Sequence, residues 1–129
     1  SAAAVNLVPV TSPRDLARWK VSEAKEFFQT LLIYPAQTAA AFVVTSDALS
    51  STCPPGSMAV ISKRHTPTPR HVVLAVVGQS EEPVLRKFIR EGDEDLLVAD
   101  DTRFTTHKVG KSVKILGVVT ETALRKSLI

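Results

Sequence analysis

Apolar positions in this chain fall into two regimes, divided near residue 40. In the first, Ser12-Pro13-Arg14-Asp15 is a helix-start pattern: the Ser12 hydroxyl can cap, proline suits the first helical position, and Asp15 meets the positive end of the first turn. A short helix to about Lys20 is predicted, with Leu16 and Trp19 on one face. Ser22 opens a second helical pattern, in which Ala24, Phe27, Phe28, Leu31 and Leu32 recur at helical spacing. Its end, Ile33-Tyr34, reads equally as extended, and Tyr34-Pro35 closes it in either case. Residues 1–11 read as an extended arm, with Val5, Leu7 and Val8-Pro9-Val10 suited to a sheet edge, where proline is tolerated.

In the second regime short β-branched runs alternate with turn signals. Strands are expected at Ala41–Thr45, Met58–Ile61, His71–Val77, Val84–Arg90, Leu96–Ala99 and Lys111–Thr120, the last with Gly117 as a bulge, followed by a tail from Leu124 to Ile129. Cys53-Pro54-Pro55-Gly56, Thr66-Pro67-Thr68-Pro69, Gly78 to Pro83 and Gly92-Asp93-Glu94-Asp95 punctuate them. The run His71–Val77 is too uniformly apolar to have a wet face. The predicted fold class is mainly β: a compact antiparallel domain over residues 12–129 with one or two short N-terminal helices.

Composition narrows the function classes. The 129 residues suit one core, and with only 5% aromatic residues Val, Leu, Ala and Ile must build most of it. A single cysteine, Cys53, excludes an internal disulfide and fits a reducing, cytoplasmic setting. Residues 1–5 are apolar but lack the flank and length of a signal peptide and read as a domain edge, and no apolar run is long enough to span a bilayer. The net charge of +3 is mild. Zinc-finger spacing, a Gly-rich phosphate loop and a helix-turn-helix are all missing from the sequence, so if the protein regulates DNA, the DNA-reading part is expected elsewhere.

Several segments, in order, resemble the C-terminal domain of LexA-like and phage-type repressors. They are Val8-Pro9-Val10; Phe42 to Ser50, similar to the strand leading into the family's Gly-X-Ser-Met motif; Pro55-Gly56-Ser57-Met58-Ala59-Val60; Val72 to Ala75 with Pro83-Val84-Leu85-Arg86-Lys87-Phe88; Leu96 to Asp101; and Lys114 to Val119. The resemblance implies a scaffold in which a serine attacks the chain's own linker and a neutral lysine takes the serine's proton. Counted from Phe42, Ser50 stands at the nucleophile position and Arg86 at that of the lysine. A guanidinium does not give up its proton in a protein, so Arg86 is no general base. Asp47-Ala48-Leu49-Ser50-Ser51 also lacks the motif's glycine and methionine, and the turn after it is short. Relatives cut after an alanine or cysteine followed by glycine, ahead of the catalytic domain; the first glycine here is Gly56.

No catalytic residue is therefore expected. Ser50 reads as a polar loop serine; Lys87 is the possible substitute base, but its strand neighbour Arg86 must face the other way. Cys53 reads as a turn or buried thiol, and His65, His71 and His107 lack metal-ligand spacing, so neither metal nor cofactor is expected. Lys63-Arg64-His65 with Arg70-His71 reads as a solvated hairpin end, or else an electropositive patch for a partner or DNA backbone. Trp19, Val113, Ile115 and Val118 are the interface candidates. The expected function is oligomerisation and regulation of a phage-type repressor that does not cleave itself, with no membrane role. Its partners would be further copies of the chain, a small antirepressor protein and, through a separate DNA-binding domain, the operator. The alternatives are a self-cleaving serine–lysine peptidase using Ser50 and Lys87, and a mutagenesis-type polymerase accessory subunit of the same fold.

Overall fold

The computed structural model describes residues 3–124, so Ser1, Ala2 and positions 125–129 of the expected tail lie outside the described residues. Along them run strand β1 (Ala4–Pro9), helix α1 (Pro13–Leu16) and strands β2 (Phe27–Pro35), β3 (Ala39–Val43), β4 (Met58–Ser62), β5 (Val72–Val77), β6 (Val84–Glu91), β7 (Glu94–Val98), β8 (His107–Lys108) and β9 (Val113–Ala123). β1 and β2 form a two-stranded sheet, and the others a seven-stranded sheet in the order β3-β4-β9-β5-β6-β7-β8. The named strand pairs are antiparallel, and the mainly β expectation holds. Among the described residues no helix is long and apolar enough to cross a membrane.

The arm is a working strand. Val8 is buried against Tyr34, Ala41 and Met58, and an isolated parallel bridge joins Val10 to Ala41. α1 starts as its sequence indicates, with the Asp15 amide donating to Ser12 Oγ at 3.1 Å. It lasts a single turn because Trp19 adopts a left-handed φ of 53°, costly for a bulky side chain and incompatible with continuing the helix. The Trp19 indole N–H donates to the Gln37 carbonyl at 3.2 Å and Lys63 lies over the ring, so this tryptophan is fixed within the fold.

The second helix does not form. Phe27, Phe28, Leu31 and Leu32 satisfy a strand as well as a helix, and β1 supplies a backbone ladder that a helix would forgo: Pro9 opposes Phe27, Val8 opposes Phe28, and Leu7 opposes Gln29. The register then slips. Val5 opposes Tyr34, so Thr30 to Ile33 bow out opposite Asn6. The bow is tied down from β9: the Glu121 carboxylate accepts hydrogen bonds from the Leu31 amide (2.7 Å), the Leu32 amide (3.1 Å) and the Tyr34 hydroxyl (2.6 Å). Burial, followed by that bond, pushes the Tyr34 hydroxyl up to about 12.

Alternation along the large sheet feeds three apolar clusters. Ala40 and Phe42, Ala59 and Ile61, Val72 and Leu74 pack with Leu16, Leu49, Cys53 and Leu85 on one face. Ala39, Ala41, Met58 and Val60 lie on the other face under Val8 and Tyr34. Val73, Ala75, Phe88, Leu97 and Val118 form the third cluster. β5 is buried on both faces from Val72 to Ala75, as its composition requires.

β9 joins the two halves of the sheet and is irregular on both sides. Leu74 opposes Gly117 while Ala75 opposes Ile115, so Leu116 is the extra residue toward β5; Thr120 is the extra residue toward β4. Gly117 serves close approach. A Cβ there would lie 2.6 Å from Ile61 Cγ1 and 2.8 Å from the Ser62 carbonyl oxygen. Gly117→Ala should therefore destabilise the domain by about 1–3 kcal/mol in urea melts. Adding Ile61→Val should restore only part of that loss, because the carbonyl contact remains.

Candidate functional site

The Arg86 side chain is drawn into the protein by its strand. Arg86 opposes Val73 and Lys87 opposes Val72, and the ladders on both sides of β6 run through this pair without a register shift. The two side chains therefore point to opposite faces. Arg86 is only 6% exposed. Its Nε donates to the Thr105 carbonyl at 3.2 Å and its Nη1 to the Leu85 carbonyl at 2.9 Å. The Phe104 ring lies 5.7 Å from the guanidinium carbon, within cation–π range. Among the described residues no carboxylate comes within ion-pair distance of Arg86. Burial lowers its pKa, but a guanidinium stays charged at any pH the protein experiences.

Against this corner packs the turn that follows β3. The Asp100 amide donates to the Ala48 carbonyl at 2.8 Å, and the Asp100 carboxylate accepts from the Ser51 amide (3.0 Å) and hydroxyl (2.8 Å). Ser50 is exposed, and its hydroxyl donates to the Asp47 carbonyl at 2.7 Å. Arg86 shares a cleft of about 220 Å³ with Val44, Thr45, Ser46, Pro83 and Phe104, and Ser50 and Lys87 do not line it. Ser46, at the start of the turn, shares the cleft with Arg86, and among the described residues no side-chain base is hydrogen-bonded to the Ser50 hydroxyl.

The other candidates are scattered. Cys53 is fully buried in the main core, and burial, then the Asp100 charge, pushes its thiol up, away from the thiolate a nucleophile needs. His65 bonds to Ser62 and His71 to Thr68, and among the described residues no three His, Cys, Asp or Glu side chains cluster as metal ligands would. The basic stretch Lys63 to His65 lies in the exposed β4–β5 connection. Of the interface candidates Val118 is buried, while Trp19, Val113 and Ile115 are half-buried. Val118 is 2% exposed inside its own core, Val113 and Ile115 pack against that core, and Trp19 packs against the main cluster. The segment Val113–Val119 pairs with β5 on one side, and within it Val118 and Val119 also pair with β4 on the other. The large exposed apolar side chains lie mostly on the β1–β2 sheet: Leu7, Phe27, Leu31, Leu32 and Ile33, with Leu31 at 90% and Ile33 at 69%.

Phe104, Thr105 and His107 complete the surroundings of Arg86; from sequence His107 was weighed only as a metal ligand, and Phe104 and Thr105 were not singled out. An aromatic beside Arg103 in a chain poor in aromatics was the available signal. Burial, then the charge on Arg86, lowers the pKa of His107 below its usual 6.5.

A compact antiparallel β fold with a strand-borne cation behind a serine-rich turn defines a LexA-like C-terminal scaffold. The Peptidase S24-like family model matches residues 15–120, so the chain belongs to that family, which includes self-cleaving peptidases. No curated protein matches the chain.

The sign of the His107 shift is testable. A depressed imidazole binds its proton less readily folded than unfolded, so its contribution to stability is present above pH 6.5 and is lost as the pH falls toward the folded value. NMR titration should place His107 below 6.5, and Arg86→Met should move it upward. An unchanged midpoint in Arg86→Met would show that the cation does not act on this ring.

Proposed function

We propose that this domain is a non-cleaving interaction domain, the oligomerisation and regulatory part of a phage-type transcriptional repressor. The observation that carries the reading is Arg86: buried, permanently cationic, and set where the family needs a proton acceptor. The serine-side turn supports it further. Set against Gly-X-Ser-Met, the stretch Ser46-Asp47-Ala48-Leu49 fits with alanine in the place of serine. Leu49, at the methionine position, is 1% exposed in the main core, as that apolar position requires, whereas a register on Ser50 would put the exposed Ser51 there. This register also lengthens the turn before Pro55-Gly56. On it the nucleophile and the base are both replaced.

Self-association would run through the outer face of the β1–β2 sheet. Leu7 opposes Gln29 and Pro9 opposes Phe27, so Leu7, Phe27 and the bowed Leu31 to Ile33 form adjoining apolar surface. Among the residues of the two strands, Tyr34 is the one ionisable side chain, and it is buried. A neutral apolar face is self-complementary, as a two-fold interface demands. Tethering weak DNA-reading modules through such a contact makes the second operator contact intramolecular. An antirepressor would act by binding this domain and breaking or reshaping the assembly.

Two measurements check the reading. Full-length protein held at alkaline pH should keep its intact mass, with Ser50→Ala indistinguishable from wild type; fragments that vanish in Ser50→Ala would establish the self-cleaving peptidase instead. Light scattering should show a mass above the monomer that rises with concentration. Leu31→Asp with Ile33→Asp should return it to the monomer while leaving the fold intact, because both side chains are exposed.

A further inference from the structure

We propose that the Arg86 cleft is a binding site for a single carboxylate, the Asp or Glu side chain of an extended, otherwise apolar peptide segment. The proposal does not depend on self-association or on a repressor role. It starts from unmet demand. A charged side chain is seldom buried without a counter-ion, and Arg86 has two backbone carbonyls and a ring face but, among the described residues, no acid at ion-pair distance. Of five guanidinium N–H groups, Nε has given its one to Thr105 and Nη1 one of two to Leu85. Nη2 donates to no described acceptor, yet no buried side-chain nitrogen among the described residues lacks a partner. Nη2 is therefore at the accessible surface, and the cleft is the opening that Arg86 lines. One N–H remains on Nη1 and two on Nη2, donors that a carboxylate can take up as charge-assisted bonds.

The walls choose among anions. Val44, Pro83 and Phe104 offer apolar contact, and the Thr45 and Ser46 hydroxyls stand beside them. A volume of about 220 Å³ is below that of a drug-sized pocket and admits one or two side chains. Glu82 also lines the cleft but makes no ion pair with Arg86. Its charge opposes a dianion more than a monoanion, which favours a carboxylate over a phosphate. The lowered His107, near enough to feel Arg86, is consistent with a cation whose field no neighbouring acid cancels.

The test is a titration of the isotope-labelled 129-residue chain with N-acetyl-Val-Glu-Val-amide, its glutamine counterpart and inorganic phosphate, followed by NMR. The glutamate peptide should shift the Arg86 Nε–H, Ser46 and Phe104 signals saturably. The glutamine peptide should bind roughly tenfold more weakly or not at all, the order expected for losing a charge-assisted pair. Arg86→Lys, which keeps the charge but loses the fork, should weaken glutamate binding by about tenfold, and Arg86→Met should abolish it. Equal binding of the two peptides, no saturable shift up to the solubility limit, or tighter binding of phosphate would each overturn the proposal. The comparison of peptides on the wild-type chain decides the matter even if Arg86→Met fails to fold.

Discussion

The architecture depends on β9 lying in the middle of the sheet. It is the one strand pairing with both β4 and β5, so without it the other six strands of the sheet fall into a β3–β4 pair and a β5–β8 group. Its irregularities follow from that duty. An extra residue at Leu116 toward β5 and another at Thr120 toward β4 let one strand serve two ladders of different register. Gly117, between them, lets Ile61 and the Ser62 carbonyl come closer than any side chain would permit. Near its end, Glu121 leaves the core to hold the bow of β2 by two amides and a hydroxyl. The strand that closes the core thus also fixes the most apolar exposed surface.

On β9 apolar content has its cover within the domain. Ile115 and Val118 pack in the cluster around Val73, Ala75, Phe88 and Leu97. Leu31 and Ile33 are apolar at positions that none of the described residues covers. Only the second pattern needs an explanation outside the domain.

The strands from Ala39 onward, β8 apart, were legible to within two or three residues at their ends, because each is a short β-branched run bounded by proline, glycine or an acidic turn. The N-terminal third was less so. Phe27 to Leu32 carries apolar residues densely enough to satisfy either period, and the choice fell to β1, a partner more than fifteen residues away. Strand order was not legible at all: nothing local in Val113–Ala123 says that it lies between β4 and β5. At the site, the chemical type of Arg86 was plain, while its isolation from every described acid depends on loops that sequence does not place. The serine side was harder still, because Ala48 and Ser50 are two positions apart and only burial, with Leu49 inside and Ser51 outside, distinguishes the registers.

Arginine in place of lysine does more than remove a base. A dry pocket disfavours the charged form of any cation, and for a lysine that penalty is productive: the amine sheds its proton and becomes the acceptor that a serine requires. A guanidinium cannot relieve the penalty that way. The same burial acting on Arg86 leaves a fixed charge, partly met by the Thr105 and Leu85 carbonyls and the Phe104 face, with unspent N–H groups toward the cleft. The environment that would make one residue a proton acceptor makes the other a seat for an anion. On the proposed reading, a scaffold that has exchanged its base for a fixed cation, and its nucleophile for alanine, would trade bond cleavage for recognition while keeping its sheet.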